Sequence, residues 1–164
     1  MRIHDEFQYA APPEKVAEML ADPTFYEQVS ERMGAVSATV EVSGDPSGPF
    51  TVTTERKMPT DGFPDFARKF VGDTVSVRQV DEWHAEEEGG VRRGTLLVEV
   101  HGAPLRMHGS LLLAPTDTGT TETVDGELKA AVPLIGGKLE EAARPAIEGA
   151  IRQQQKVGAA WFAG

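Results

Sequence analysis

Hydrophobic and polar residues alternate along this chain with two different periods, and the first change of period comes early. At the N-terminus Ile3, Phe7 and Tyr9 fall on one side of a two-residue alternation, which predicts a half-buried strand. Segments 14–21 and 24–33 then carry apolar residues at helical spacing, and each follows a proline suited to the first turn of a helix. The chain is therefore predicted to begin with one strand and two short helices.

The two-residue period returns after Gly34 and continues, interrupted by turns, to residue 131. Glycine- and proline-rich stretches such as GDPSG at 44–48 separate the alternating segments and predict tight turns between antiparallel strands. The first of these strands is predicted to place Val36, Ala38, Val40 and Val42 on one face. The pattern predicts six further strands, over residues 36–42, 50–57, 74–84, 92–102, 105–113 and 121–131.

Two more segments have a helical period. Phe63, Phe66 and Phe70 predict a short amphipathic helix between the third and fourth strands. A much longer helix is predicted from about 136 to 162, and Pro145 inside it predicts a kink because proline lacks the amide hydrogen that an interior turn needs. Its apolar face is predicted to carry Leu139, Ala143, Ile147, Ile151, Gln154, Val157 and Trp161.

Composition narrows the function classes. A chain of 164 residues with 40% hydrophobic and 26% charged residues fits one globular domain, so we expect residues 1–164 to form a single domain. The net charge of -10 opposes binding to nucleic acid or to anionic lipid surfaces. The absence of cysteine excludes disulfides and thiolate metal sites. With no apolar signal segment and no apolar run of membrane-spanning length, the sequence predicts a cytoplasmic protein.

Two sets of residues suggest chemistry at first sight. Gly136-Gly137-Lys138 would need glycine at 132 and Ser or Thr at 139 to form a phosphate-binding loop, so we interpret the glycines as a turn into the last helix. His101 and His108 flank a predicted hairpin turn on its outer face, where they could be neighbours across the hairpin. No third ligand accompanies them, so the sequence predicts neither a metal site nor a cofactor.

The order of elements resembles the START-like superfamily, also called the helix-grip or SRPBCC fold, which includes birch-type pollen allergens, polyketide aromatases and cyclases, and lipid-transfer domains. The resemblance spans essentially the whole chain. Within the superfamily, the chain is most similar to a domain-of-unknown-function family. It implies an α+β fold in which a seven-stranded antiparallel sheet wraps around the long C-terminal helix. The phrases that carry it are APPEKVAEMLADPTFYEQV at 11–29, TVSVRQVDEW at 74–83 and VPLIGGKLEE at 132–141.

That fold implies a cavity between the sheet and the last helix. Arg56, Gln79 and Asp81 alternate in phase with inner residues, and a buried charge is costly unless it is paired. An Arg56 to Asp81 ion pair would meet this requirement, either as a structural pair or as an anchor for a ligand headgroup. We predict a cavity whose ligand-binding residues are Arg56, Gln79, Asp81, Trp83, Val98, Met107, Leu111, Ile147, Ile151 and Gln154.

The predicted function is noncovalent binding, as a carrier or sensor, of a small apolar ligand that is lipid-like, isoprenoid or polyketide-like. Two alternatives remain open: a cyclase or hydrolase using Asp81 as a base with Arg56, and a protein-interaction module with a filled core. The helix of Phe63, Phe66 and Phe70 is predicted to act as a lid over the cavity, although an aromatic stripe is more commonly part of a core. The sequence does not predict the oligomeric state.

Overall fold

The computed structural model describes residues 1–163 and contains seven strands and four α-helices. Alternating segments form strands and segments with helical spacing form helices, as the periodicity predicts. A 3₁₀ turn at Glu88–Gly90 precedes the fifth strand. The strands are β1 (Arg2–Tyr9), β2 (Ser37–Gly44), β3 (Phe50–Pro59), β4 (Thr74–Trp83), β5 (Arg92–His101), β6 (Leu105–Pro115) and β7 (Thr120–Ala130). The helices are α1 (Pro13–Leu20), α2 (Pro23–Arg32), α3 (Asp65–Val71) and α4 (Gly136–Trp161).

All seven strands form one antiparallel sheet in the order β1-β7-β6-β5-β4-β3-β2. Consecutive strands from β2 to β7 are neighbours, while β1 pairs with β7 and so joins the beginning of the chain to the end of the sheet. The long helix α4 packs against β1, β7 and α2 on the inner face. This arrangement confirms the predicted α+β helix-grip fold, including the two short helices after the first strand and the short helix between the third and fourth.

Local residues explain where the helices begin. Pro13 and Pro23 occupy the first turns of α1 and α2, and the Asp22 carboxylate accepts a hydrogen bond of 2.9 Å from the amide of Thr24. At the start of α4, a Cβ atom on Gly136 would lie 2.7 Å from the carbonyl oxygen of Ala130. The glycine at 136 therefore serves the tight turn from β7 into α4, which is its predicted role.

Two details of the predicted sheet were wrong. Val36 lies before β2 and is 64% exposed, because the edge strand starts at Ser37 and nothing packs over the residue before it. His101 and His108 are exposed as predicted, but they are not neighbours. The strand register places His108 opposite Leu97, and His101 opposite Ser76 on the other side of β5.

No helix within residues 1–163 is both long enough and apolar enough to cross a membrane. The longest helix, α4, is amphipathic instead: it carries Leu139, Ala143 and Val157 as buried residues and a polar opposite face. Pro145 lies inside this helix, where the sequence places it. The inner face of α4 is therefore apolar, and the sheet packs against only part of it.

Candidate functional site

A cavity of about 590 Å³ lies between the inner face of the sheet and α4. This volume falls within the range of small-molecule binding sites. Strands β3 to β7, helices α2, α3 and α4, and the loops around α3 contribute to its wall. Apolar wall residues include Val75, Val77, Leu96, Val98, Val100, Leu105, Met107, Leu111, Val124, Leu128, Ile147 and Ile151.

The structure brings together almost all of the residues predicted to contact a ligand. The predicted wall residues are Arg56, Gln79, Asp81, Val98, Met107, Leu111, Ile147, Ile151 and Gln154, and all of them line the cavity. Whether they contact a ligand remains a prediction.

Trp83 corrects the predicted set, because it does not line the cavity. It lies at the far end of β4, is 2% exposed, and its ring lies so close to Gly94 that a Cβ atom there would be 2.9 Å from Cε3. Its alternation in β4 placed it correctly on the inner face, but the core has already closed at that level of the sheet. Trp83 is therefore a core residue.

We call the end of the cavity formed by Arg56, Gln79, Asp81, Glu122 and Gln154 the polar end. Nε of Arg56 donates a hydrogen bond of 2.6 Å to Oγ of Ser30, and Nη1 donates one of 2.8 Å to Oε1 of Gln79. These contacts hold a guanidinium that is only 4% exposed.

The predicted direct ion pair between Arg56 and Asp81 is wrong, because Gln79 lies between them. Asp81 pairs with Val52, four residues before Arg56 on β3, which corresponds to roughly 13 Å along the strand. Nε2 of Gln79 instead donates to Oδ1 of Asp81 at 3.1 Å. The side-chain amide of Gln79 thus accepts a hydrogen bond from Arg56 and donates one to Asp81, so it links the two buried groups.

Asp81 is held from the other side by α2. The hydroxyl of Tyr26 donates a hydrogen bond of 2.7 Å to Oδ2 of Asp81, and both residues are buried. Burial raises the pKa of Asp81 above its ordinary value, while the hydrogen bonds from Tyr26 and Gln79 and the charge of Arg56 oppose that rise. Burial also lowers the pKa of the Arg56 guanidinium. The charged pair therefore depends on its hydrogen-bond partners.

Glu122 is the polar residue that the sequence analysis missed. It is 2% exposed on β7, and its Oε1 accepts hydrogen bonds from the hydroxyl of Tyr9 at 3.1 Å and from Nε2 of Gln154 at 3.4 Å. Burial, and then the negative charge of Asp81, raise the pKa of Glu122 to about 8, so the side chain is protonated at neutral pH. Its signal was available, since Glu122 alternates in phase with the inner residue Val124.

The opposite end of the cavity lies beneath α3, and we call it the α3 end. Phe63 and Phe70 line the cavity there, whereas Phe66 does not line it and packs beside Ala67. Ala67 is the one buried residue of α3. All three phenylalanines pack against a small apolar cluster of Ala67, Ala130 and Leu139, and two of the three also line the cavity.

Among residues 1–163 no group of three or more His, Asp or Glu side chains is arranged to hold a metal ion. The carboxyl groups that face the cavity, Asp81 and Glu122, are instead occupied by hydrogen bonds from tyrosine and glutamine side chains. The site can therefore offer hydrogen bonds and charge to a molecule in the cavity.

Solved structures with the same architecture define the class of fold. The chain aligns over 99% of its length with 99% of the protein TTHA0849 from Thermus thermophilus, with a TM-score of 0.62 and 16% identity. It aligns over 96% of its length with 90% of the Zhui aromatase/cyclase from a Streptomyces species (TM-score 0.57, 14% identity). The STAR-related lipid transfer protein from Xanthomonas axonopodis aligns over 94% of this chain and 85% of its own fragment (TM-score 0.56, 12% identity). The protein therefore has the START-like helix-grip fold.

The family is equally definite. Residues 5–162 match the family described as "Protein of unknown function (DUF2505)", and the chain belongs to this family. The uncharacterized protein Rv0481c of Mycobacterium tuberculosis is 23% identical over 132 residues, which cover 78% of this chain and 75% of that protein. The predicted resemblance to a domain-of-unknown-function family within the superfamily is thus confirmed.

Proposed function

We propose that this protein binds a small, largely apolar molecule noncovalently in the cavity, as a carrier or sensor. The observation that supports this most directly is the cavity itself, about 590 Å³ of space with an apolar wall and polar side chains gathered at one end. The names of two structural relatives, a lipid transfer protein and an aromatase/cyclase, also favour an apolar ligand. Continuous interior space counts against the alternative of an interaction module with a filled core.

The proposal assigns a role to each end of the site. The apolar wall would remove the hydrophobic part of the ligand from water, which contributes about 25 cal/mol for each Å² buried. The polar end would fix the orientation of the ligand, because Arg56 and Glu122 there are buried and their hydrogen-bond partners lie in the protein.

Native mass spectrometry of the freshly purified protein, followed by organic extraction, tests the proposal. We expect a stoichiometric apolar adduct, either retained from the cell or acquired from a mixed panel of lipids and isoprenoids. The variant Ile151→Trp places a large side chain on the cavity wall and should abolish the adduct. Gln155→Trp adds the same side chain to an exposed position of α4 and should retain it. Equal binding by both variants would contradict a ligand in this cavity.

We also propose that α3 is a lid over the cavity. With Ala67 as its one buried residue, α3 has little apolar surface to hold it closed, and Phe70 in the helix and Phe63 just before it line the space beneath. Amide hydrogen exchange in α3 should be faster than in β3 and β4, and the retained ligand should slow it. Exchange in α3 as slow as in those central strands would contradict a lid.

A second candidate function is acid–base chemistry on the bound molecule. One observation favours it: a carboxylate held by three hydrogen bonds, Asp81, and a neutral carboxyl group, Glu122, line the same apolar cavity. Incubation of the protein and its extracted ligand in deuterium oxide separates the two functions. Incorporation of deuterium at a carbon of the ligand, abolished by Asp81→Asn, would indicate an enzyme, whereas an unchanged ligand mass indicates a carrier.

A further inference from the structure

The polar end contains a buried cation whose hydrogen-bonding capacity is only partly used. Arg56 is 4% exposed, and its Nε and Nη1 atoms donate to Ser30 and Gln79, yet its Nη2 atom has no hydrogen-bond partner within residues 1–163. No carboxylate of the described chain touches the guanidinium, since Asp81 reaches it only through Gln79. A buried guanidinium with an unused edge on a cavity favours an acceptor from outside the protein, and a carboxylate matches that edge best.

Glu122 provides a second donor to the same cavity. Its Oε1 atom accepts a hydrogen bond from the hydroxyl of Tyr9 at 3.1 Å, and Nε2 of Gln154 lies 3.4 Å from each of its two carboxyl oxygens. Oε2, which has only the longer of these contacts, is the oxygen that can carry a proton for a ligand. The strand partners of Glu122 are Phe7 and Leu113, which offer neither charge nor hydrogen bonds. The polar or charged groups that act on it from the surrounding elements are Tyr9 on β1, Tyr26 on α2, Asp81 on β4 and Gln154 on α4, while Arg56 on β3 lines the same cavity.

We infer that the molecule bound in this cavity is an apolar carboxylic acid, held as its anion at the polar end by the unused edge of Arg56, with the carboxyl group of Glu122 as a second donor on the same cavity wall. The inference rests on the proposed binding function and names the class of ligand. A fatty acid, an isoprenoid acid and an aromatic polyketide acid share this chemistry. The polar end binds the carboxylate, and the apolar cavity wall encloses the rest of the ligand.

The charges of the site favour a monoanion. When Arg56 and Asp81 are both ionised their charges cancel, so an added carboxylate leaves a single negative charge at the polar end, provided that Glu122 carries no charge of its own. A dianionic phosphate monoester would add two buried charges against one cation. A neutral alcohol or ester would leave the guanidinium without a carboxylate in direct contact.

This arrangement makes binding depend on pH. The pKa of Glu122 in the empty cavity is about 8, and a bound anion beside it would raise that pKa further. Below this pH, the carboxyl group is already protonated and affinity for the acid is constant. Above it, binding requires the uptake of one proton, so affinity should fall by about tenfold for each pH unit. Aliphatic carboxylic acids are ionised throughout this range, so the change belongs to the protein.

The experiment compares decanoic acid, methyl decanoate and decanol as probes. Displacement of the neutral dye N-phenyl-1-naphthylamine from the protein by each probe is measured at about pH 7, and the affinity of each probe is also measured by calorimetry. We expect decanoate to bind at least about tenfold more tightly than the ester or the alcohol. A smaller ratio would overturn the inference while leaving the binding function intact. If none of the three probes displaces the dye and none binds by calorimetry, the proposed function fails together with the inference.

Two variants then assign the selectivity to its residues. Arg56→Gln should reduce the ratio of the affinities for decanoate and methyl decanoate to about one. Glu122→Gln cannot ionise, so its affinity for decanoate should lose the fall above about pH 8 that the parent protein shows, whatever its affinity at about pH 7. If Arg56→Gln does not fold, the pH profile of the parent protein decides alone: affinity for decanoate that is constant between about pH 7 and 10 overturns the inference.

Discussion

The two ends of the cavity are built in different ways. At the polar end, buried side chains from β3, β4, β7, α2 and α4 are joined by hydrogen bonds, as between Tyr26 and Asp81 and between Tyr9 and Glu122. At the α3 end, the wall is apolar, and α3 has Ala67 as its one buried residue. The polar end is thus held by a network of hydrogen bonds, whereas α3 is held by little buried surface.

This difference assigns the two ends different tasks. A network of buried polar groups is stable only when nearly all of its members are satisfied, so it holds its side chains in position before any ligand enters. A short helix with little buried surface can move away from the sheet without exposing much of the core. On the proposed function, the polar end would orient the ligand and the α3 end would admit it.

The largest expected effect comes from breaking the polar end at its carboxylate. Asp81→Ala removes the acceptor for Tyr26 and Gln79 and leaves the buried Arg56 without its relayed counter-charge. We expect a loss of about 3–5 kcal/mol in the free energy of unfolding, measured by urea denaturation. Tyr26→Phe removes one hydrogen bond only and should cost about 1–2 kcal/mol. Equal losses for the two variants would contradict a linked network.

The second prediction concerns the pH dependence of stability. Glu122 has a pKa of 4.5 in an ordinary environment and about 8 in the folded protein, so between these values the folded state retains a proton that the unfolded chain has released. The stabilising contribution of this group is complete below about pH 4.5 and is lost as the pH rises to about 8. The free energy of unfolding should fall by about 1.4 kcal/mol per pH unit within this window.

The matched variant for this prediction is Glu122→Gln, which cannot ionise. Urea denaturation of both proteins at several pH values should show that the parent protein loses stability relative to the variant by about 3 kcal/mol over two pH units. Because all other titrating groups are shared, their contributions cancel in the difference. Parallel pH profiles would show that Glu122 is ionised in the folded state at neutral pH.

A glycine pair on α4 tests how tightly the polar end is packed. A Cβ atom on Gly158 would lie 2.1 Å from Cε1 of Tyr9, the residue that donates to Glu122. Gly158→Ala should therefore cost about 1–3 kcal/mol in the free energy of unfolding. At Gly149 the nearest atom to such a Cβ is the end of Arg152, at 3.7 Å. Gly149→Ala should gain up to about 1 kcal/mol from helix propensity.

Thermal or urea denaturation of these two variants sharpens the comparison, because both change the same helix by the same methyl group. A loss confined to Gly158→Ala would locate the close packing beside Tyr9. Stabilisation by both substitutions would instead mean that the Tyr9 ring moves aside easily, and the polar end would not be rigid.

The smallest expected effect lies in the loop between β7 and α4. Leu134 is fully exposed and has a φ of 69°, a backbone conformation that costs a residue with a Cβ atom about 1–2 kcal/mol. Leu134→Gly relieves this strain but raises the conformational entropy of the unfolded chain, which lowers stability by about 0.4–1 kcal/mol. We therefore expect a net gain in the free energy of unfolding between zero and about 1 kcal/mol. Leu134→Ala keeps the Cβ atom and should show no gain. A clear loss in Leu134→Gly would indicate a packing role for this side chain.

The sequence predicted the fold well because alternation is a local property. Each strand from β1 to β7 shows its inner face through residues two apart, and α4 shows its own through residues three and four apart. The same alternation placed Arg56, Gln79 and Asp81 on the inner face. Val36 was misplaced because its pattern continues that of β2, while the edge of the sheet leaves it uncovered.

Other features required the tertiary structure. Alternation assigns a side chain to a face but does not state what packs over that face, so it could not separate Trp83, which is enclosed in the core, from Asp81, which lines the cavity. Nor could it show that Gln79 would lie between Arg56 and Asp81 and form hydrogen bonds with both. These distinctions depend on distances between strands that are remote along the chain.

By itself, the sequence determined the order of the elements, the inner and outer faces and the polar residues available to the interior, because these follow from periods of about 2.0 and 3.6 residues. Only the tertiary structure decided that Glu122 and Asp81 share one cavity, that their environments differ and that one end of that cavity is joined by hydrogen bonds while the other is lightly covered. The physical reason is that burial, and the shift in pKa that it causes, depend on everything that surrounds a group in space.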